Sequence, residues 1–215
     1  LRQARELGTV ARMARQASGS TPYAATLGIR ANGVDVLVTS TLQGMALNLP
    51  APLVKPVDSA LPLRFEILRQ AGTARTQDRL TLEVGRLAAV TYVRDVSGPE
   101  PRVLRGAIGV GLTAGESAPL PEQGVYANIS FAQFNVDAWE SLLAAPAPGG
   151  GNRGNAIPAN VQGYLPTTAV LRAREFTVAG RTLQNVLVGG SRDGLLWRAN
   201  VDAAQLNGYL EYRQP

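Results

Sequence analysis

Apolar and polar residues alternate with a period of two along most of this chain. Val34, Val36 and Val38, for example, are separated by Asp35 and a leucine, which gives that segment one apolar face. An Asn-Gly pair directly precedes the segment and is a strong signal for a hairpin turn. The same pattern recurs to the C-terminal end. It predicts a mainly β protein built as a meander of antiparallel strands, each with one apolar and one polar face.

The predicted strands follow one another with turn residues between them. Their ranges are Tyr23–Ile29, Val34–Leu42, Leu63–Leu68, Leu80–Val84, Leu87–Val93, Val103–Leu112, Val125–Phe131, Ala169–Val178, Gly180–Gly189, Leu195–Val201 and Leu206–Tyr212.

Two stretches have helical rather than strand spacing. Residues Gln3–Gln16 carry apolar side chains at helical intervals among arginines, which predicts a short helix packed on the sheet. A second helix is predicted to begin at Asp137, which can cap it, and to run to Ala144 with Trp139 on its apolar face. The sheet is therefore expected to carry short flanking helices.

The segment Ser40–Leu63, hereafter the proline segment, fits neither pattern. Four prolines each lack an N–H and bias the preceding residue toward extended geometry, so neither a helix nor a central strand is expected. Gly44 interrupts the end of the preceding strand, which indicates a bulge or a close backbone approach. We predict a stiff apolar segment along the edge of the sheet.

The length of 215 residues fits a single elongated domain, residues 1–215. A glycine- and proline-rich stretch, residues 145–158, is predicted to be a flexible internal loop. There is no apolar run of the length that a membrane span needs.

Composition excludes several kinds of chemistry. The chain has no Cys and no His, so a thiolate nucleophile, a disulfide, an imidazole base and a zinc-finger ligand set are all excluded. Its net charge is +5, but the arginines are scattered and often stand beside acids, as in Arg64/Glu66, Arg94/Asp95 and Arg174/Glu175. This pattern argues against a nucleic-acid surface.

The remaining candidates for catalysis are weak. Asp137 and Glu140 stand at a predicted helix start, where carboxylates usually interact with the helix dipole. Lys55 lies among prolines, and we do not expect it to be a buried amine. The glycines Gly106, Gly109 and Gly111 are not followed by the helix that a dinucleotide-binding turn requires. A bulged or curved strand is expected there instead. We therefore predict a protein that is not an enzyme and takes no metal or cofactor.

Two groups of residues form recognisable motifs: Ser40, Leu42, Gly44, Leu49, Pro50, Pro52, Lys55 and Pro56 in the proline segment, and later Asp137 and Trp139. Together these motifs resemble the YhdP branch of the AsmA-like bacterial envelope proteins. Thr41 and Val54 depart from that pattern, where Asp and Gly are common. The resemblance extends from about residue 19 to the C-terminal end.

This resemblance implies a fold, a location and a function. Proteins of that branch are similar to bridge-like lipid carriers that are anchored in the inner membrane and extend through the periplasm. Their curved sheet forms a β-groove along which phospholipid acyl chains move. The chain is then expected to be a periplasmic internal or C-terminal piece of such a protein, with the anchor outside it. Its partners would be phospholipid acyl chains, neighbouring segments of the parent protein and other envelope proteins, with no nucleic acid.

The alternation allows the groove lining to be named. The residues expected to line it are the apolar phase of four strand regions: Val34, Val36, Val38, Leu80, Leu82, Val84, Val125, Ile129, Phe131, Trp197 and Val201. The opposite phase carries Asp35, Arg64, Glu66, Thr81, Glu83 and Arg198 and is expected to face water. An apolar face must be covered by lipid tails or by protein, so a closed structural scaffold or a protein-interaction domain is the alternative.

Overall fold

A computed structural model describes residues 15–30, 33–70, 76–144 and 162–213. The strands in chain order are β1 (Ala17–Gly19), β2 (Tyr23–Arg30), β3 (Gly33–Ser40), β4 (Met45–Leu47), β5 (Leu63–Gln70), β6 (Gln77–Val84), β7 (Ala88–Asp95), β8 (Arg102–Val110), β9 (Gly124–Asn135), β10 (Thr168–Val178), β11 (Arg181–Asp193), β12 (Leu196–Ala203) and β13 (Leu206–Arg213). The described helix, α1, is Val136–Ala144.

Eleven of these strands form one curved, open sheet in the order β13-β12-β11-β10-β9-β8-β7-β6-β5-β3-β2. The short strands β1 and β4 pair separately as a two-stranded sheet. The expectation of a mainly β, largely antiparallel and curved sheet is therefore confirmed.

One strand departs from the predicted meander. β9 is parallel to both of its neighbours, β8 and β10, whereas the other neighbouring pairs in the large sheet are antiparallel. Parallel neighbours need long connections because the chain must return to the same end of the sheet. Residues 111–123 make the first return, and the stretch from 136 to 167, which includes α1, makes the second. The predicted meander of antiparallel strands is therefore interrupted at β9.

The strand register assigns each side chain to a face, because residues paired across neighbouring strands point to the same side. One continuous row runs through Val36, Ile67, Leu80 and Tyr92. A second runs through Ala127, Ala169, Gly190 and Ala199 on the same side. We call this side the apolar face and the opposite side the polar face.

Gly106 in β8 has a packing role. A Cβ built at this position would lie 2.4 Å from Cδ1 of Tyr92, on the neighbouring strand β7. Glycine thus leaves the space that the Tyr92 ring fills. The register between β7 and β8 also shifts next to Val93/Arg94, so the irregular strand expected here is present.

Replacing Gly106 with alanine should therefore destabilise the sheet by about 1–3 kcal/mol, because the buried Tyr92 ring has to move. The matched control is Gly189→Ala in β11, where an added Cβ meets nothing within 4 Å. Urea unfolding of both variants tests this. Equal stabilities for the two would show that the Tyr92 contact does not constrain position 106.

Helix α1 begins one residue earlier than predicted and has a different cap. Oδ1 of Asn135 accepts a hydrogen bond of 3.0 Å from the backbone N–H of Ala138, which is the geometry of an N-cap. Asp137 lies inside the first turn, so the capping role predicted for it was wrong. Almost all of the predicted helix Gln3–Gln16 lies outside the described residues. The whole of the predicted loop 145–158 also lies outside them.

Among the described residues, no helix is long and apolar enough to cross a membrane.

Candidate functional site

The apolar residues predicted as one lining do share one face. Strand register places all of them on the apolar face: Val34, Val36, Val38, Leu80, Leu82, Val84, Val125, Ile129, Phe131, Trp197 and Val201. Most of these side chains are half-buried; Val34 is exposed and Val125 is buried. In a closed core, such side chains would be fully buried. The face is therefore continuous across the sheet, and the residues that the structure describes do not cover it completely.

The polar phase predicted from the sequence lies on the other side. Arg64, Glu66, Thr81, Glu83 and Arg198 all take the polar face. Nη2 of Arg64 lies 2.7 Å from Oε1 of Glu66. Surface pairs of this kind contribute little stability.

Asp35 belongs to the polar phase but is buried, contrary to the expectation that it faces water. Its Oδ1 accepts a 2.9 Å hydrogen bond from the backbone N–H of Arg69, and its other oxygen pairs with Arg30. The backbone hydrogen bond, together with the nearby guanidinium groups, lowers the pKa of Asp35 despite burial. Asp35 therefore ties the end of β3 to β5.

Between Ser40 and Leu63 the proline segment forms no helix and no strand of the large sheet, as predicted, and its short strand β4 pairs with β1. Ser40 ends β3, and its Oγ donates to the carbonyl of Pro22 over 2.8 Å and accepts from the N–H of Leu42. Gly44 has φ +89, and an added Cβ would lie 2.5 Å from the carbonyl oxygen of Ser20. The close backbone approach predicted for Gly44 is confirmed.

Lys55 is buried, at 4% exposure, so the prediction that it would not be a buried amine was wrong. Its Nζ donates to the carbonyl oxygens of Met45 at 2.6 Å and of Pro56 at 3.0 Å. Both acceptors belong to the proline segment. The ammonium group therefore holds two parts of that segment together, which is a structural use of the charge.

The two signature stretches of the sequence meet at one end of the sheet. Nε1 of Trp139 donates to the carbonyl of Ala51 over 3.2 Å, although the residues are 88 positions apart. The strands from which they depart, β3 and β9, are five steps apart in the sheet, or about 24 Å along its surface. The proline segment, which contains Leu49, Pro50 and Pro52, and helix α1 therefore bridge this end.

Trp139 also belongs to an aromatic cluster. Phe134 stacks on Phe131, Trp139 and Phe176, with ring centroids 4.8, 6.4 and 5.8 Å apart. Asp137 fixes the helix from the other side, because its carboxylate accepts hydrogen bonds from the N–H groups of Ala179 and Gly180 at 2.7 and 2.8 Å. This carboxylate is thus committed to the β10–β11 turn.

The opposite end of the apolar face carries a buried ion pair. Arg94 donates from Nε and Nη2 to both oxygens of Asp78, at 2.8 and 2.7 Å, and from Nη1 to the hydroxyl of Tyr164 at 3.2 Å. The hydrogen bonds to Asp78 raise the pKa of Arg94. The sequence-based pairing of Arg94 with Asp95 was wrong, because Asp78 faces Arg94 across the β6–β7 ladder.

Segment 162–167 crosses the apolar face at this end and is held from both sides. The hydroxyl of Tyr92 donates to the carbonyl of Tyr164 over 2.8 Å, and burial raises the pKa of Tyr92 to about 12. On the far side, Arg192 donates to the carbonyls of Gln162, Leu165 and Pro166. Each end of the apolar face is therefore partly covered, one end by the proline segment with helix α1 and the other by segment 162–167.

A cavity of about 780 Å³ opens on the polar face between β7, β8 and residues 111–118. Its walls are mainly backbone and small side chains such as Ala107 and Gly109. The carboxylate of Glu116 at its margin accepts hydrogen bonds from the N–H and hydroxyl of Thr113, which lower its pKa, and pairs with Arg172. A carboxylate bound in this way is a weak base, so Glu116 is a poor candidate for a general base.

Within the described ranges, no group of three or more acidic residues could hold a metal ion. The feature that stands out is instead the wide apolar face with its two partly covered ends.

The sequence profile of the family described as "YhdP protein" matches residues 3–215. The chain belongs to the YhdP family. No curated protein and no solved structure matches it. YhdP proteins belong to the AsmA-like proteins of the cell envelope, and the open curved sheet of this chain fits that group.

The family match covers both signature stretches, and the fold explains why they occur together. The proline segment and the Val136–Trp139 stretch are far apart in sequence but are joined at the Trp139–Ala51 hydrogen bond. In this chain both stretches contribute to the same end of the sheet.

Proposed function

We propose that this YhdP chain is a periplasmic segment of a lipid carrier and holds phospholipid acyl chains on its apolar face. In this proposal the apolar face lines the inside of the curved sheet and forms part of a path between the inner and outer membranes. The parent protein is anchored in the inner membrane by a segment outside this chain. The segment acts as a non-catalytic surface for the tails while headgroups stay in water.

One observation carries this proposal. The eleven predicted lining residues lie on a single face, and nine of them are only half-buried. Fully burying a large apolar side chain gains roughly 1.5–3 kcal/mol. Because the lining side chains keep part of their surface exposed among the described residues, covering them with apolar chains would gain further free energy.

The edges of the sheet support a second part of the proposal, contact with neighbouring segments of the parent protein. In the described sheet β2 and β13 are the outermost strands, and each exposes large side chains on the apolar face. Leu27 is 66% and Ile29 is 87% exposed in β2, and Leu210 is 54% exposed in β13. Strands added at these edges would cover these side chains and lengthen the apolar face.

Photocrosslinking in whole cells tests the lipid proposal. A photoreactive amino acid is placed at Val36 or Leu82 on the apolar face, and at Leu37 or Glu83 on the polar face of the same strands. Leu37 is the sharpest control, because it is apolar and half-buried like Val36 but faces the other way. We expect phospholipid adducts from Val36 and Leu82 and few from the two controls.

The alternative function, a structural scaffold or protein-interaction domain, gives a different result. Adducts from Val36 and Leu82 would then be to protein alone. Equal lipid labelling from Val36 and Leu37 would also count against the proposal, since it would reflect hydrophobicity rather than a face.

A further inference from the structure

A row of charged residues ends the apolar face at the end where segment 162–167 crosses it. In the strand register, Arg69 of β5 lies opposite Asp78 of β6, and Asp78 lies opposite Arg94 of β7. All three residues therefore lie on the apolar face. The preceding row on the same face is Ile67 and Leu80 with Tyr92. Successive rows on one face are two residues apart, or about 7 Å. Apolar surface therefore changes to charged surface within one step.

The charges in this row do not balance. Arg94 donates to both oxygens of Asp78. Within the row, the guanidinium groups of Arg69 and Arg94 therefore face a single carboxylate, that of Asp78. Nη1 of Arg69 is shielded from solvent and has no hydrogen-bond partner in the part of the chain that the structure describes.

Glycine in β3 makes room for Arg69. A Cβ built at Gly33 would lie 2.6 Å from Nε and 3.1 Å from Cγ of Arg69, so the arginine lies across the end of that strand. Arg69 as a whole is only half-buried. The guanidinium group is therefore placed at the boundary of the apolar face, with part of the side chain within reach of solvent.

A buried N–H without an acceptor is costly, and a guanidinium group binds phosphate oxygens well. We propose that Arg69, together with the positive end of this row, binds the phosphate group of a phospholipid whose acyl chains lie on the adjoining apolar rows. The proposal rests on the proposed function. A phospholipid is favoured over free phosphate because its phosphate is joined to the tails, and the structure joins the charge to an apolar surface in the same way.

The experiment compares two lipids that share tails but differ in phosphate. The purified chain is incubated with vesicles of phosphatidylethanolamine and phosphatidylglycerol, or with vesicles doped with diacylglycerol, and is reisolated. Bound lipid is measured by mass spectrometry. The variants are Arg69→Gln, Arg69→Lys and a matched control, Arg79→Gln, which removes an exposed arginine on the polar face of the neighbouring strand.

We expect Arg69→Gln to lower phospholipid binding by about ten- to a hundredfold, the effect of losing one charged hydrogen-bonding group, and to leave diacylglycerol binding unchanged. Arg69→Lys should retain part of the phospholipid binding because it keeps the charge. Arg79→Gln should bind both lipids like the wild type. A fall in diacylglycerol binding with Arg69→Gln would point to a folding defect, and the Arg69→Lys variant then decides. If Arg69→Lys loses phospholipid binding but keeps diacylglycerol binding, the phosphate site is supported. If Arg69→Lys loses the binding of both lipids, the phosphate site is overturned.

Two further outcomes separate this inference from the proposed function. If the wild type binds both lipids and Arg69→Gln binds phospholipid equally well, the phosphate site is overturned and the apolar face stands. If the wild type binds neither lipid, the proposed function fails, and the phosphate site fails with it. A third arm uses inorganic phosphate alone with ³¹P NMR. Arg69-dependent binding of free phosphate without Arg69-dependent phospholipid binding would identify an adventitious anion site and overturn the proposal.

Discussion

Replacing Asp78 with alanine should destabilise the protein by about 3–5 kcal/mol, because it leaves Arg94 as an unpaired buried charge. Asp78 is 4% and Arg94 is 8% exposed, and Arg94 donates two hydrogen bonds to Asp78. The remaining partner of Arg94, the hydroxyl of Tyr164, is neutral and cannot balance the charge. Denaturant unfolding monitored by circular dichroism measures the loss.

The matched control is the double variant Asp78→Ala with Arg94→Met, which removes both charges at once. We expect it to be clearly more stable than Asp78→Ala alone, since no buried charge is left without a partner. A double variant at least as unstable as the single one would show that packing, rather than the unpaired charge, causes the loss.

Replacing Lys55 with methionine should cost about 2–4 kcal/mol, because two backbone carbonyls lose a charged donor in a buried setting. Methionine keeps most of the volume, so the change isolates the ammonium group. The effect should be concentrated in the proline segment, where both acceptors, Met45 and Pro56, lie. Hydrogen exchange of the Leu47 and Lys55 amides, which pair with each other's carbonyls at 2.9 and 3.0 Å, reports it directly.

Ser59→Ala provides the comparison for Lys55. The hydroxyl of Ser59 donates to the same carbonyl of Pro56 at 3.0 Å, but at an exposed position, and its loss should cost less than about 1 kcal/mol. If Lys55→Met is as mild as Ser59→Ala, the ammonium group does not hold the segment.

The two faces of the sheet could be predicted because alternation is a local property of each strand. Val36 and Leu82 share a face with Trp197, although their strands lie eight and six steps from β12 in the sheet. This could be predicted without knowing which strands are neighbours. In any single sheet with this pattern, burying one face forces the apolar phase of every strand to the same side. The proline segment was also predictable, since proline limits the backbone whatever surrounds it.

Contacts between residues on different strands could not be predicted from the local sequence. Arg94 next to Asp95 suggested a pair, but adjacent residues in a strand point to opposite faces, and the partner came from the neighbouring strand. Burial of Lys55 depends on the fold of the whole proline segment around it. The parallel strand β9 was missed because its own pattern is the same in either direction. The position of Arg69 opposite Asp78 in the strand register had an available signal, since both residues flank the predicted turn between β5 and β6.

The position of β9 has a consequence for how the chain folds. On one side of it, β3, β6, β7 and β8 each pair with the strand that precedes them in the chain, and β5 pairs with β3 across the proline segment. On the other side, β11, β12 and β13 each pair with the preceding strand. Each half therefore consists largely of contacts close in sequence, which form quickly because little loop entropy is lost. β9 needs both long returns before it can pair on its two sides, so the two halves are natural cooperative units and the β9 strand is the step that makes them one sheet.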